Sequence, residues 1–150
     1  MYDVAEYILR KRGPLSAMKL QKLVYYSQAW SLVWDEKPIF SDKIKAWANG
    51  PVVPSLYHRH KGRFMVEPGS IGGDASLLEP SDYETVDAVL GFYGDKSAQW
   101  LSDLSHQEGP WRQARDGTAD GENSESEITH AAMAEYYSTM AQAVADRSPR

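Results

Sequence analysis

The apolar positions of the chain are most concentrated in residues 17–35, which read AMKLQKLVYYSQAWSLVWD. At about 100° per residue, Leu20 and Leu23 fall on one side of a helix, and Tyr25 and Leu32 fall on another. A helix that is apolar on two sides is packed on two sides. The pattern therefore predicts that this segment is the central buried helix of a mainly α, single compact helical domain.

Shorter helical patterns lie on both sides of this segment. Asp3 is placed to cap a first helix and Ser16 to cap the central one. Ser81 and Glu84 have the spacing of a capping box, and Pro54 can open a short helix. The spacing of apolar residues predicts further helices over SAQWLSDLSHQ, over PWRQAR and over about residues 127–146.

Helical spacing is lost in two segments. Residues 38–53 change to an extended pattern, with a short strand expected across 44–47 and a turn at the Asn-Gly-Pro sequence of 49–51. Residues 62–78 are rich in glycine, which predicts an irregular loop or a small hairpin around RFMV. Both segments are too short to change the fold class.

Two polar segments are expected outside the packed core. Residues 116–127, DGTADGENSESE, are acidic and lack apolar anchors, so they are interpreted as a flexible loop. Residues 147–150 are expected to fray at the end of the last helix. The chain has no internal repeat, and its 150 residues fit one domain spanning 1–150.

Composition narrows the classes of function. The net charge of −5 and the pI near 5.3 disfavour nucleic acid as the main partner, because nucleic-acid binding uses a basic surface. Cysteine is absent, which excludes thiol nucleophiles and thiolate zinc sites. The sequence has no apolar run of membrane-spanning length and no signal-peptide pattern. We expect a soluble, cytoplasmic protein without a membrane partner.

The histidines give no metal site. His58 and His60 would point about 200° apart on a helix, so they are interpreted as surface residues of a basic turn. His130 is also expected at the surface. The glycines of GSIGGD lack the lysine and hydroxyl residue of a phosphate-binding loop. Neither a cofactor nor a metal is predicted.

His106 is the one candidate for catalysis. Asp103 or Glu108 could orient its imidazole, as a general base requires. No nucleophile motif accompanies it, so the preferred interpretation is a hydrogen bond across the following Gly-Pro turn, with Trp111 packed beneath the ring. The expectation is that the protein is not an enzyme, and a hydrolase built on His106 is the less favoured hypothesis.

The sequence also has features of a binding protein. Basic residues cluster at 10–12, together with Lys19 and Lys22, and again at 58–63. Adjacent basic clusters could bind an acidic partner or a nucleic-acid backbone, so a regulator that binds its own operon is the alternative hypothesis. Five tryptophans and nine tyrosines are many for a chain of this size, and these residues are enriched at protein interfaces.

Three segments together carry a family resemblance. KLQKLVYYSQAW at 19–30, AWANGPVVPSLY at 46–57 and LSHQEGPWRQAR at 104–115 have the order and spacing of the Panacea antitoxin domain, also called the SocA-like or phage-associated domain. The resemblance runs from about residue 14 to the last helix. Ser105 stands where the family often has threonine.

The resemblance implies an antitoxin of a toxin–antitoxin pair that binds its cognate toxin directly and neutralises it. One branch, which this chain resembles, acts as a proteolytic adaptor that delivers the toxin to the ClpXP protease. The motif positions interpreted as structural are Leu20, Gln21, Tyr25, Trp30, Trp47, Gly50, Pro51, Val52, Pro110 and Trp111. The residues expected at the surface, in contact with the partner, are Lys19, Lys22, Tyr26, Arg59, His106 and Arg112.

Overall fold

A computed structural model describes the backbone of residues 1–147 and the side chains of residues 1–142. The described part is mainly helical, as predicted, with a few short strands. The helices are α1 (Tyr2–Arg12), α2 (Ala17–Trp34), α3 (Pro54–His60), α4 (Pro80–Tyr93), α5 (Ala98–Gln107), α6 (Gly109–Ala114) and α7 (His130–Arg147). The strands are β1 (Leu15–Ser16), β2 (Ile44–Trp47), β3 (Gly50–Val52), β4 (Met65–Val66) and β5 (Glu127–Ile128).

Helix α2 is the centre of the fold. The Ser16 hydroxyl accepts a hydrogen bond from Lys19 N at 3.2 Å and so caps the helix as predicted. Twelve consecutive residues, Leu20 to Ser31, are buried, because α4, α5 and α7 pack around the helix. The predicted central buried helix is confirmed.

Two small antiparallel sheets lie beside the helices. In the larger one, β2 pairs with β3 on one side and with β5 on the other. In the smaller one, β4 pairs with β1, so that Met65 lies opposite Ser16. The predicted strand at 44–47 is confirmed, but the local hairpin around RFMV is wrong. The partner of β4 is a strand about 50 residues earlier in the chain (Val66 lies opposite Leu15), which local sequence does not reveal.

Several helix boundaries differ from the prediction. The capping box of α4 is formed by Glu79 and Asp82, so the helix begins before Ser81. Asp3 lies within α1 and its carboxylate accepts from Asp74 N at 2.8 Å instead of capping the helix. Helix α7 begins at His130 because the two residues of β5 pair with β2.

The predicted acidic loop contacts the domain at both ends: Glu127 belongs to β5, Ser126 O accepts from Ala46 N at 2.8 Å, and Arg115 binds the first half of the loop. The guanidinium donates to the carbonyl of Ala119 at 3.0 Å and to that of Glu122 at 2.6 Å. Flexibility of residues 116–127 stays a prediction. Of the predicted frayed end at 147–150, Arg147 closes α7 and the remainder lies outside the described residues. None of the helices described is long and apolar enough to cross a membrane.

Candidate partner-binding site

The three segments that carry the family resemblance meet around the connection between β2 and β3. The first segment lies within α2. The second covers the end of β2, the turn, β3 and the start of α3, and the third covers the end of α5 and α6. Helix α5 contacts both α2 and β3, and α6 contacts β2. We call residues 46–51 the anchored turn.

Side chains from outside the turn bind its backbone. Four carbonyl groups between residues 46 and 51 each accept a hydrogen bond from the side chain of a helix residue or of the residue that ends a helix. The pairs are Arg115 Nη1 to Ala46 O at 2.8 Å, Trp111 Nε1 to Trp47 O at 2.8 Å, Ser102 Oγ to Asn49 O at 2.9 Å, and Lys22 Nζ to Pro51 O at 3.2 Å. Because each carbonyl has its own donor, the conformation of the turn is fixed from several directions.

Lys22 is buried beneath the turn. Its side chain is 1% exposed, and no carboxylate in the described part of the chain forms an ion pair with it. Burial without an opposite charge lowers the pKa of Lys22 to about 8. The expectation that Lys22 lies at the surface is therefore wrong, because its alkyl chain passes under Gly50 to reach the carbonyl of Pro51.

Gly50 is required by this arrangement. Its φ of 118° is a backbone conformation that other residues rarely adopt. A Cβ atom at this position would lie 2.7 Å from Lys22 Cε and 3.1 Å from Ser105 Oγ. The glycine therefore allows both the turn and the close approach of the lysine.

Gln21 fixes the segment that follows the turn. Its side-chain oxygen accepts from Val53 N at 2.9 Å, and its amide nitrogen donates to Val53 O at 3.2 Å. The same nitrogen lies 3.0 Å from His60 Nε2. His60 is 5% exposed, so its predicted surface position is wrong, whereas His58 and His130 are exposed as expected. Burial lowers the pKa of His60.

A buried carboxyl group at the start of α6 joins two helices to the site. Glu108 Oε1 accepts hydrogen bonds from Tyr26 at 2.7 Å and from Tyr137 at 2.9 Å. Burial raises the pKa of Glu108, and these two hydrogen bonds act in the opposite direction. Tyr26 is fully buried and stacked on Tyr93, with ring centroids 4.2 Å apart, so its predicted surface position is also wrong.

His106 packs as a structural residue. Its ring stacks on Trp111 with centroids 4.2 Å apart, which confirms the predicted packing. Its Nε2 is buried without a hydrogen-bond partner among the described residues, so the predicted bond across the Gly-Pro turn is not formed. Burial, followed by the charges of Lys22 and Arg115, lowers the pKa of His106, and the nearby backbone of Asn49 opposes this shift.

The pairing expected for a hydrolase is not formed. The Glu108 carboxylate is bonded to two tyrosines, as described above, and Asp103 Oδ1 accepts from Gln99 at 2.8 Å. Neither carboxylate is hydrogen bonded to His106. Among the described residues, no group of three or more histidine, aspartate or glutamate side chains could hold a metal ion.

Two open clefts lie on either side of the anchored turn and share Ala48 as a wall. Cleft A has a volume of about 400 Å³, and its rim includes Met18, Trp47 and Tyr57. Cleft B has a volume of about 560 Å³, and its lining includes His106 and Arg112. The turn therefore stands between two concave surfaces, one more apolar and one more polar.

The structure brings together only part of the predicted contact set. His106 and Arg112 share cleft B. Lys19 is directed away, because its ammonium donates to Gly94 O at 2.7 Å. Arg59 donates to Ile71 O at 2.8 Å and lies over the ring of Tyr2. Lys19 and Arg59 thus have intramolecular partners outside both clefts.

The motif positions interpreted as structural lie mostly in the interior of the domain. All are buried except Trp47, Tyr25 contacts Tyr137 through their hydroxyl groups at 2.9 Å, and Trp30 Nε1 donates to Tyr93 at 3.0 Å. Trp47 is only half-buried on the rim of cleft A. Whether any of these residues touches a partner stays a prediction.

Several residues of the site carry no distinctive local pattern in the sequence. Arg115 and Ser102 bind the turn, Tyr137 binds Glu108, and Asn49 is the exposed residue of the turn. Arg115 lies within the third resemblance segment, which was a usable signal. The signal for Tyr137 was weaker, because one tyrosine in an amphipathic helix is usually a simple core residue.

The first basic cluster is largely neutralised by neighbours. Arg10 pairs with the buried Glu6 at 2.9 Å, and Arg12 pairs with Asp95 at 3.0 Å. Lys11 lies 3.9 Å from Asp87. This cluster therefore offers little unpaired charge for the nucleic-acid backbone considered above.

Comparison with known proteins gives one family. A family described as "Antitoxin SocA-like, Panacea domain" matches residues 20–112, the stretch from α2 to α6. The antitoxin SocA of Caulobacter vibrioides (strain NA1000 / CB15N) is 28% identical, over 72% of this chain and 66% of that relative, slightly less than two thirds of its length. No solved structure matches the chain. The matched stretch contains Lys22, Ser102 and Trp111, three of the four side chains that anchor the turn.

Proposed function

Because the chain belongs to the SocA-like, Panacea-domain family of antitoxins, as its sequence predicts, we propose that it binds a cognate protein toxin directly and neutralises it. The observation that carries this proposal is the anchored turn. Residues of the family-matched stretch fix the backbone of a turn whose tip, Asn49, is exposed, and they do not form the catalytic pairing considered for His106. Membership of an antitoxin family likewise favours a non-enzymatic role.

The proposed contact surface is the face formed by the anchored turn and the two clefts. Asn49 and Arg112 are exposed there, and Trp47 and Tyr57 are half-buried. Tryptophan, tyrosine and arginine are the residues most enriched at interface hot spots. An interface of about 800 Å² per partner would occupy about a tenth of the 7951 Å² that the chain exposes.

Rigidity of the turn supports tight binding. Ordering a loop on association costs free energy that is lost from the affinity. Here the donors of Lys22, Ser102, Trp111 and Arg115 fix the turn before any partner arrives. A partner element that enters either cleft would therefore meet a surface that is already in its binding conformation.

Co-expression with the product of the adjacent gene tests this proposal. That product alone should stop growth, and the wild-type chain should restore growth and co-purify with it. Asn49→Lys and Arg112→Glu alter the proposed face without touching a buried group, so they should abolish rescue at unchanged melting temperature. Lys43→Glu reverses an exposed charge outside the face and should rescue fully. A harmless neighbour, or full rescue by both face variants, contradicts the proposal.

We further propose, from the branch that the sequence resembles, that neutralisation includes delivery of the toxin to the ClpXP protease. A degradation assay with purified ClpXP and toxin tests this step separately. The toxin should be degraded only when the chain is present, and Asn49→Lys should prevent degradation. Toxin that remains intact in a stable complex would leave direct neutralisation in place and refute delivery.

A further inference from the structure

An apolar patch is exposed at the smaller sheet, apart from the anchored turn. Phe64 is 81% exposed, Met65 46% and Met18 38%. The backbone segments that carry the three residues lie side by side, because Ala17 N donates to Phe64 O at 2.8 Å and Met65 lies opposite Ser16. We call Met18, Phe64 and Met65 the Phe64 patch. Phenylalanine and methionine are enriched at protein interfaces, and so large an exposed ring is not needed for packing.

The backbone beside this patch is an open strand edge. In an antiparallel pair, hydrogen-bonded and non-hydrogen-bonded residue pairs alternate. The bond from Ala17 N to Phe64 O makes the pair of Met65 and Ser16 a non-hydrogen-bonded one. The N–H and C=O of Met65 therefore point away from β1, and neither bonds to another backbone group among the described residues. Such an edge can accept a further strand.

The charge around the edge is positive and unpaired. Residues 58–70 contain Arg59, Lys61 and Arg63, with Glu67 as the one acidic residue. Arg59 has partners, as described above, but the exposed Lys61 and Arg63 form no ion pair within the described part of the chain. In a chain of net charge −5, these two unpaired cations give this surface a local positive charge that would attract carboxylates.

We propose that the Phe64 patch and the edge of β4 bind an extended, acidic and apolar segment of a partner protein by strand addition. The segment would exchange main-chain hydrogen bonds with Met65, place an apolar side chain on Phe64 and Met18, and bring carboxylates to Lys61 and Arg63. Main-chain bonds supply affinity in this mode, and the alternate side chains supply specificity. This surface shares Met18 with the rim of cleft A, but Phe64, Met65, Lys61 and Arg63 line neither cleft, so substitutions at these four residues test it independently of the toxin contact proposed above.

Fluorescence anisotropy with the full chain tests this inference. The probe is a short fluorescein-labelled peptide in which glutamate alternates with valine, and the same peptide with lysine for glutamate is the control. The wild-type chain should bind the acidic peptide and not the basic one. Met65→Pro removes the outward N–H without removing a bond to β1, so it should weaken binding at least tenfold.

Two further variants separate the apolar contribution to peptide binding from the electrostatic one. Phe64→Ser changes a side chain that is almost wholly exposed and should weaken binding at an unchanged melting temperature, which keeps the test valid if Met65→Pro does not fold. Lys61→Glu with Arg63→Glu should also abolish binding, whereas Lys43→Glu and Asn49→Lys should not change it. The inference is overturned if the acidic peptide does not bind. It is also overturned if binding survives both Met65→Pro and Phe64→Ser, or if a labelled single-stranded oligonucleotide binds the patch more tightly than the peptide.

Discussion

The buried ammonium group of Lys22 predicts a specific dependence of stability on pH. Its pKa is about 8 in the folded chain, against 10.5 for an ordinary lysine. Below pH 8 both the folded and the unfolded chain carry the charge, and the folded state bears the full cost of burying it. Between pH 8 and 10.5 the folded chain binds fewer protons than the unfolded chain. Over this window the contribution of Lys22 to the free energy of unfolding therefore rises with pH.

The size of the effect follows from these two pKa values. One unit of pKa difference corresponds to about 1.4 kcal/mol. Between pH 7 and pH 10 the linkage relation gives a gain of about 2.5 kcal/mol from this one group. The slope is greatest near pH 9. Buried tyrosines such as Tyr26 act in the opposite direction at higher pH, because their raised pKa keeps them protonated in the folded chain alone.

Substitution isolates this contribution. Lys22→Met keeps most of the side-chain volume and removes the titrating group. Urea unfolding followed by tryptophan fluorescence gives the free energy of unfolding of both chains at pH 7, 8, 9 and 10. From pH 7 to pH 10 we expect the free energy of unfolding of the wild-type chain to rise by about 2.5 kcal/mol more than that of Lys22→Met. The tyrosine contribution is shared by both chains and cancels in the difference.

Lys43→Met serves as the control, because it removes a surface lysine, 4.0 Å from Glu127, and leaves the buried ammonium of Lys22 in place. Parallel profiles for the wild type and Lys22→Met would refute the reasoning. They would mean that Lys22 is hydrated or paired in solution, and that its bond to the carbonyl of Pro51 is not a buried one.

Two further predictions concern the anchored turn and the buried carboxyl group. Gly50→Ala introduces a Cβ at a positive φ and against the buried Lys22. It should therefore lower the free energy of unfolding by about 2–5 kcal/mol, measured by urea denaturation. A loss within error of zero would contradict the assigned turn. Because the pKa of Glu108 is raised, the folded chain binds a proton at this carboxylate before the unfolded chain does as the pH falls. The wild type should therefore gain stability relative to Glu108→Gln from neutral pH down to about 4.5. Thermal unfolding of both chains at several pH values checks this, and a wild type that loses stability relative to the variant on acidification would show the assigned direction to be incorrect.

The sequence predicted the elements that depend on local pattern. The central helix, its Ser16 cap and the strand over 44–47 all follow from the spacing of apolar residues and from turn chemistry. The position of Lys22 could not be predicted in this way. Lysine is rarely buried, and helical periodicity loses its meaning on a helix whose neighbours cover every side.

The side chains that bind the anchored turn could not be predicted from local pattern, for a similar reason. Its donors lie far from it in the chain: Lys22 is 29 residues from Pro51, and Arg115 is 69 residues from Ala46. The partner of β4 is equally distant. Local pattern identifies the turn at Asn-Gly-Pro, but only the fold shows which side chains bind its carbonyls. The family resemblance pointed to the right segments without assigning their roles.

Arg115 gives the molecule a mechanical link between two parts of its surface. One guanidinium group bonds to Ala46 in β2 and, through its other nitrogen, to Ala119 and Glu122 of the acidic loop. Tension applied to residues 119–122 is therefore transmitted to the backbone of β2 through this side chain, in addition to the bond from Ala46 N to Ser126 O and the pairing of β5 with β2. Cleavage of the loop by a protease should accordingly increase hydrogen exchange at the turn, at a distance from the cut.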